Sequence, residues 1–189
     1  TRNLPENYHY VGSLTWQTDM PPPSWWPPER AGGPLIYITM GTTGLEDFFS
    51  TVFDLFSQSD MTAVITTGGQ SGGIESVDGR IYVEPYIDGD LVIKECDLVV
   101  CHGGNGTIYQ AIRHGKPIIG VPTLADQQFN MRMVERLGIG GALDWKVLQD
   151  KPDLLIELIN KVAGNQSMLD NLSRLKDVLA QYDAPGTAA

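Results

Sequence analysis

The chain has 189 residues, and at about 150 residues per domain it reads as one domain long enough to bury a full core. Apolar residues make up 42% and charged residues 19%, which excludes a disordered chain or a coiled coil. The 13 Lys and Arg against 23 Asp and Glu leave a net charge of −10, so there is no electrostatic footprint for nucleic acid or an anionic membrane.

No apolar run approaches the about 20 residues of a membrane span, and no basic-then-apolar leader stands at Thr1. Cys96 and Cys101 are too few for a disulfide scaffold, and no Cys or His cluster has zinc spacing, so no metal is expected. A reducing, cytoplasmic setting is the expectation. The Asn-x-Ser/Thr matches at Asn105, Asn165 and Asn171 then read as chance.

Residues 1–33 differ from the rest. The run Met20-Pro21-Pro22-Pro23-Ser24-Trp25-Trp26-Pro27-Pro28 excludes a helix or a central strand, because proline fixes φ and lacks the N–H donor. It reads as a linker or wrap-around arm whose Trp16, Trp25 and Trp26 pack on this domain or on another. A polyproline ligand for an SH3-like partner is the rival, and the tryptophans fit it poorly.

From Pro34 onward, β-rich runs at 35–40, 61–66, 80–83, 97–101 and 117–121 alternate with helical periods. The first helix, at 45–57, carries Phe48, Phe49, Val52, Phe53 and Phe56 at helical spacing, behind a Thr43-x-x-Glu46 capping box. Helices follow at 105–114, stopped by Gly115 and Pro117, and at 126–137, closed by Gly138. Two more are expected at 154–162 and 167–182. Apolar strands separated by helices require a parallel sheet covered on both faces. The expected fold is therefore a doubly wound α/β domain over 34–189, which binds ligands beyond the carboxyl ends of its strands.

Three strand-to-helix loops should open on that edge: Met40-Gly41-Thr42-Thr43-Gly44, His102-Gly103-Gly104-Asn105-Gly106-Thr107, and Pro122-Thr123-Leu124-Ala125-Asp126-Gln127. In the second, glycines let the backbone approach an anion, and Asn105 to Thr107 present N–H groups at a helix N-terminus where phosphate is favoured. The bland alternative is a tight turn. No Gly-Lys-Ser/Thr ends a P-loop and no G-x-G-x-x-G follows the first strand, which counts against ATPases and NAD dehydrogenases. The run 68–73 is glycine-rich, but no clear helix follows it, so it reads as a loop.

His102-Gly103-Gly104-Asn105-Gly106-Thr107 with Gln110, then Gly120-Val121-Pro122, Asp126-Gln127 and Asn130, resembles the donor-site signature of UDP-glycosyltransferases of the GT-B fold. The bacterial macrolide, carotenoid and sterol enzymes and the plant secondary-product enzymes share it. The resemblance extends back to about Gly12, because Tyr10-Val11-Gly12 and the proline-rich stretch look like their interdomain linker.

The resemblance implies roles. His102, Gly103, Gly104, Asn105, Gly106 and Thr107 would contact the diphosphate of a nucleotide-sugar, with Thr42 and Thr43 nearby. Gln110, standing where the plant enzymes have Glu, would bind ribose, and Pro85, Tyr86 and Ile87 would cradle the base. Asp126 and Gln127 would bind hydroxyls of the transferred sugar. The base-stacking Trp of the family is absent before that loop, leaving Val83 or Tyr86 for its role, and the stretch to His102 differs in length from the plant pattern.

Taken singly, His102 also reads as a satisfied polar residue at a strand end, Asp126 as a helix N-cap and Gln110 as a solvated side chain.

By this resemblance the chain is the donor-binding half of an inverting glycosyltransferase that uses a UDP- or dTDP-sugar and no cofactor or metal. Its partner would be an N-terminal acceptor domain carrying the general base, and a final crossover helix would lie beyond residue 189. The isolated chain would then bind donor without transferring sugar. Two alternatives share the fold: the donor subunit of a two-chain enzyme, and a noncatalytic nucleotide-binding module or sugar-nucleotide epimerase.

Overall fold

The computed structural model describes residues 11–13, 20–30, 32–41, 46–70, 73–77 and 79–182. Six strands, β1 (Leu35–Thr39), β2 (Thr62–Thr66), β3 (Ile81–Glu84), β4 (Leu98–Cys101), β5 (Ile118–Gly120) and β6 (Gly140–Ala142), form one sheet in the order β3-β2-β1-β4-β5-β6. Every neighbouring pair is parallel. The apolar runs explain this arrangement: β1, β2, β4 and β5 are buried at every position, so both faces of each strand need cover.

Helices supply that cover. Ile36, Ile38 and Met40 point to one face, where α1 (Glu46–Ser57), α5 (Trp145–Asp150) and α6 (Asp153–Val162) pack through Phe48, Phe56, Leu148 and Ile159. Leu35 and Tyr37 point to the other, under α2 (Gly89–Glu95), α3 (Asn105–His114), α4 (Ala125–Arg136) and α7 (Gln166–Leu179). Phe48, Phe49 and Phe56 are fully buried, and each such side chain contributes about 1.5–3 kcal/mol relative to exposure. The doubly wound expectation holds. The expected capping box, Thr43 with the Glu46 side chain, lies outside what the structure describes.

Three elements exceed the sequence reading. The strand β6 is Gly140-Gly141-Ala142, which has no β-branched or aromatic residue to announce it. Its glycine is needed, because a Cβ on Gly140 would collide with the Ile118 carbonyl oxygen of β5. The short helices α2 and α5 follow Asp caps: Asp88 accepts from Asp90 N at 3.0 Å, and Asp144 from Lys146 N at 2.9 Å.

The arm lies on this domain. The Trp25 ring is centred 4.5 Å from Tyr82, and its Nε1 donates to Glu84 Oε1 at 2.7 Å. Glu29 N donates to the Tyr82 hydroxyl at 2.9 Å, and Arg30 pairs with Asp97 at 3.0 Å. Trp16 lies outside the described residues.

Candidate functional site

The strand order runs outward in opposite directions from the β1–β4 pair, which makes this the point where a doubly wound sheet opens a crevice beyond its carboxyl ends. Met40-Gly41 leaves β1 there and His102-Gly103-Gly104 leaves β4 beside it. Thr42 and Thr43 lie outside the described residues. The loop after β5, Pro122 to Leu124, and that after β3, Pro85 to Asp88, open on the same edge.

Helix α3 starts at Asn105 behind Gly104, which has no side chain to cap it. The first N–H groups of the helix are therefore left for another acceptor, and the helix dipole adds about 0.3–1 kcal/mol for an anion. Asn105 and Gly106 are exposed, Thr107 is half-buried, and a Cβ on Gly106 would meet nothing within 4 Å. The helix end faces open space. Its other end is closed by Gly115 in the left-handed conformation, as the sequence predicts.

The His102 ring is wedged between the backbones of Gly41 and Gly104. Its Nδ1 is buried and makes no hydrogen bond of good geometry. Burial holds its pKa below the ordinary histidine value, opposed by the Asp126 charge and the Thr39 main-chain carbonyl. The ring is thus neutral at pH 7, with Asp126 as its nearby carboxylate.

Gly103, at φ +86°, needs glycine both for its backbone and for space, since a Cβ would stand 2.9 Å from Met131 Cγ and 3.1 Å from the Gln127 carbonyl oxygen. Asn130 Nδ2 donates to the Gly103 carbonyl at 2.9 Å. The start of α4 is therefore clamped directly onto the His-Gly-Gly turn. Asp126 lies exposed in the first turn of α4, and Leu124 rather than Asp126 occupies the N-cap position, two residues earlier than the cap reading places it.

Gln127 is only 3% exposed. Its Oε1 accepts from Thr123 N at 2.9 Å, Thr123 Oγ1 at 3.2 Å and Leu124 N at 3.1 Å. Only its amide nitrogen is left for a ligand.

Gln110 is half-buried, with Oε1 3.4 Å and Nε2 3.7 Å from where a Cβ on Gly89 would sit, at the start of α2. One turn later His114 Nε2 lies 2.9 Å from Asp90 Oδ1, which fastens α3 to α2. Gln110 is held beside the loop that carries Pro85, Tyr86 and Ile87. Tyr86 is 55% exposed, and its hydroxyl donates to the Gly68 carbonyl at 2.9 Å, while Gly68 N donates to the Pro85 carbonyl at 2.9 Å. The residues after β2 thus brace the loop after β3, and no helix follows them among the described residues before β3.

A depression of about 970 Å³ lies at the opposite, amino end of the sheet between α1 and α6. Among the described residues no group of three or more His, Cys, Asp or Glu is placed to hold a metal ion, and no helix is long and apolar enough to cross a membrane.

Residues 35–181 match the family described as Glycosyltransferase family 28 C-terminal domain. The chain belongs to that family. It is 34% identical over 140 residues to a PGL/p-HBAD biosynthesis rhamnosyltransferase of Mycobacterium bovis (strain BCG / Pasteur 1173P2), across 74% of this chain and 31% of that protein. Its fold matches the glycotransferase of kitacinnamycin with a TM-score of 0.80 at 22% identity, over 95% of this chain and 47% of that one. It also matches the spinosyn rhamnosyltransferase SpnG complexed with thymidine diphosphate, with a TM-score of 0.74 at 21% identity, over 93% of this chain and 49% of that one. The family domain thus spans about a third of the curated relative's length and about half of each solved chain. In the sequence Asn130 carries no role of its own and nothing marks the His114–Asp90 tie; an amide three residues after Gln127 on α4 is the signal for the first.

Proposed function

We propose that this chain is the donor-binding half of an inverting glycosyltransferase that moves a hexose from a UDP- or dTDP-sugar to an acceptor hydroxyl. The observation that carries the reading is the juxtaposition, at the β1–β4 crevice, of the uncapped α3 N-terminus, the neutral His102 and the Asp126 carboxylate. The rhamnosyltransferase relative and the thymidine diphosphate named with SpnG favour dTDP and a deoxyhexose.

In the reaction an acceptor oxygen attacks the anomeric carbon while the bond from that carbon to the diphosphate oxygen breaks and its electron pair leaves with the diphosphate. The N–H groups of Asn105 to Thr107 and the His102 ring stabilise the charge that gathers there. Asp126 accepts hydrogen bonds from hydroxyls of the sugar, and Gln110 with the Pro85 to Ile87 loop holds the nucleoside. The acceptor proton passes to a base in an N-terminal acceptor domain, with residues 1–33 as the linker to it. The reading requires no metal and a cytoplasmic setting.

Thermal melting of the chain with UDP, dTDP, UDP-glucose, dTDP-rhamnose, GDP and NAD tests it. A ligand at 100 times its Kd adds about 2.7 kcal/mol. Stabilisation by UDP or dTDP that Thr107→Ala, which removes the hydroxyl and keeps the main-chain N–H, reduces by about 0.5–1.5 kcal/mol, with a sugar increment that Asp126→Ala removes, is the expected result. An unchanged melt with all six ligands overturns the reading.

A further inference from the structure

Tyr82 and Glu84 stand two residues apart on β3, so their side chains share one face of the sheet. On that face the Trp25 ring covers Tyr82, its indole N–H donates to the Glu84 carboxylate at 2.7 Å, and Glu29 N donates to the Tyr82 hydroxyl at 2.9 Å. Farther along, the Arg30 guanidinium donates to the Glu95 carbonyl at 2.8 Å and to the Asp97 carboxylate at 3.0 Å, beyond the end of α2. The arm is thus fastened on both sides of the segment between Glu84 and Glu95, which opens with the loop assigned above to the nucleoside. We infer that the arm is a strap on this loop, with Trp25 the positioning residue that couples docking of the arm to nucleoside binding; the inference rests on the donor-site reading.

The tie to Glu84 bears most directly on the loop. Glu84 is the last residue of β3 and precedes Pro85, so its side chain holds the point where the chain leaves the sheet. The Glu84 main-chain carbonyl accepts from Thr67 N at 3.1 Å and the Pro85 carbonyl from Gly68 N at 2.9 Å, which braces the loop from β2. β3 is the last strand of the sheet, and the arm supplies a second brace. A hydrogen bond to a carboxylate is roughly twice as strong as one between neutral groups, whereas the exposed Arg30–Asp97 pair holds the arm only weakly. Undocking the arm would free the Glu84 side chain and uncover Tyr82. A nucleotide that binds the braced loop better than the freed one must in turn hold the arm down by the same factor.

Three variants and two ligands test the strap. Trp25→Phe keeps a ring over Tyr82 and removes the donor, Glu84→Leu removes the acceptor, and Glu84→Gln keeps an acceptor oxygen. The ligands are dTDP, which reaches the loop, and inorganic diphosphate, which does not. Coupling predicts that Trp25→Phe and Glu84→Leu each weaken dTDP by about fivefold, that the double variant is no worse than either, and that Glu84→Gln stays within about twofold of the native chain. Affinity for inorganic diphosphate should stay within about twofold throughout, and saturating dTDP should slow exchange of the Trp25 indole N–H by about the same fivefold. An unchanged dTDP affinity in Trp25→Phe overturns the inference, and so does an equal weakening of dTDP and diphosphate, which would mark a general loss of structure. If the native chain does not bind dTDP, the donor-site reading falls. Amide exchange at Thr67 and Gly68 then decides the strap alone: faster exchange in Trp25→Phe supports it and unchanged exchange overturns it.

Discussion

Gly41 and His102 meet across the seam between β1 and β4: a Cβ on Gly41 would stand 2.9 Å from His102 Cε1. Gly41 also has φ +59°, in the left-handed region that an L side chain enters only at a cost of roughly 1–2 kcal/mol. Gly41→Ala should therefore destabilise the chain by about 2 kcal/mol and push the imidazole out of its slot. Urea unfolding reads the first effect and nucleotide affinity the second. A variant as stable as the native chain, with unaltered binding, would show that the ring is not held by this contact.

His102 also sets a pH dependence. Burial lowers its pKa in the folded chain below the unfolded value of about 6.5, so between the two values the unfolded chain binds the extra proton. The contribution is fully present above pH 6.5 and is lost as pH falls toward and through the folded value. The melting temperature should fall between pH 7 and pH 5, and His102→Gln should flatten that part of the profile. Identical slopes for the two proteins would assign the acid sensitivity to other groups.

The fold was legible wherever one physical signal dominated. Continuous apolar runs required a parallel sheet, and the Phe48 to Phe56 spacing required a helix on it. The α3 boundaries were legible at both ends, from the glycines before Asn105 and from Gly115 after His114. What escaped was structure that exists only through a neighbour. Gly140-Gly141-Ala142 is a strand because β5 lies beside it, with only an absence of bulk to mark it. The helix α2 begins at a glycine, and its cap, Asp88, was the sole local sign. At the site, His102, Asp126 and Gln110 could be named from spacing, but the direction of the Gln127 side chain is a fact of the β5–α4 turn and not of residue type.

Cys96 and Cys101 should be chemically silent in the folded chain. Both are fully buried, and burial raises their thiols to about 12 and about 11. The thiolate is the reactive form, so labelling by a thiol reagent at pH 8 should proceed only at the rate of unfolding. Two rapidly titrating thiols under native conditions would contradict this packing.

The arm should contribute stability to the domain it lies on. Trp25 stacks on Tyr82 and donates to Glu84, so Trp25→Ala loses apolar contact and one hydrogen bond to a carboxylate. A loss of about 2–3 kcal/mol is expected in denaturant unfolding. Glu84→Gln keeps an acceptor for the indole N–H and should lose well under half as much. An unaffected midpoint in Trp25→Ala would mean that the arm rests on the surface without energetic consequence.

Asn130 supplies the last test, because it clamps the His-Gly-Gly turn from α4 through one bond. Its Nδ2 donates to the Gly103 carbonyl at 2.9 Å, and Gly103 is the residue whose positive φ turns the chain from β4 into α3. Asn130→Leu leaves that half-buried carbonyl without its donor, at about 1–3 kcal/mol. Asn130→Asp removes the donor as well and sets a carboxylate against a carbonyl, so it should be the worse of the two. If the turn is a diphosphate cradle, both variants should weaken dTDP and dTDP-rhamnose by the same factor, since the turn faces the phosphates common to both. Unequal weakening would place Asn130 against the sugar instead.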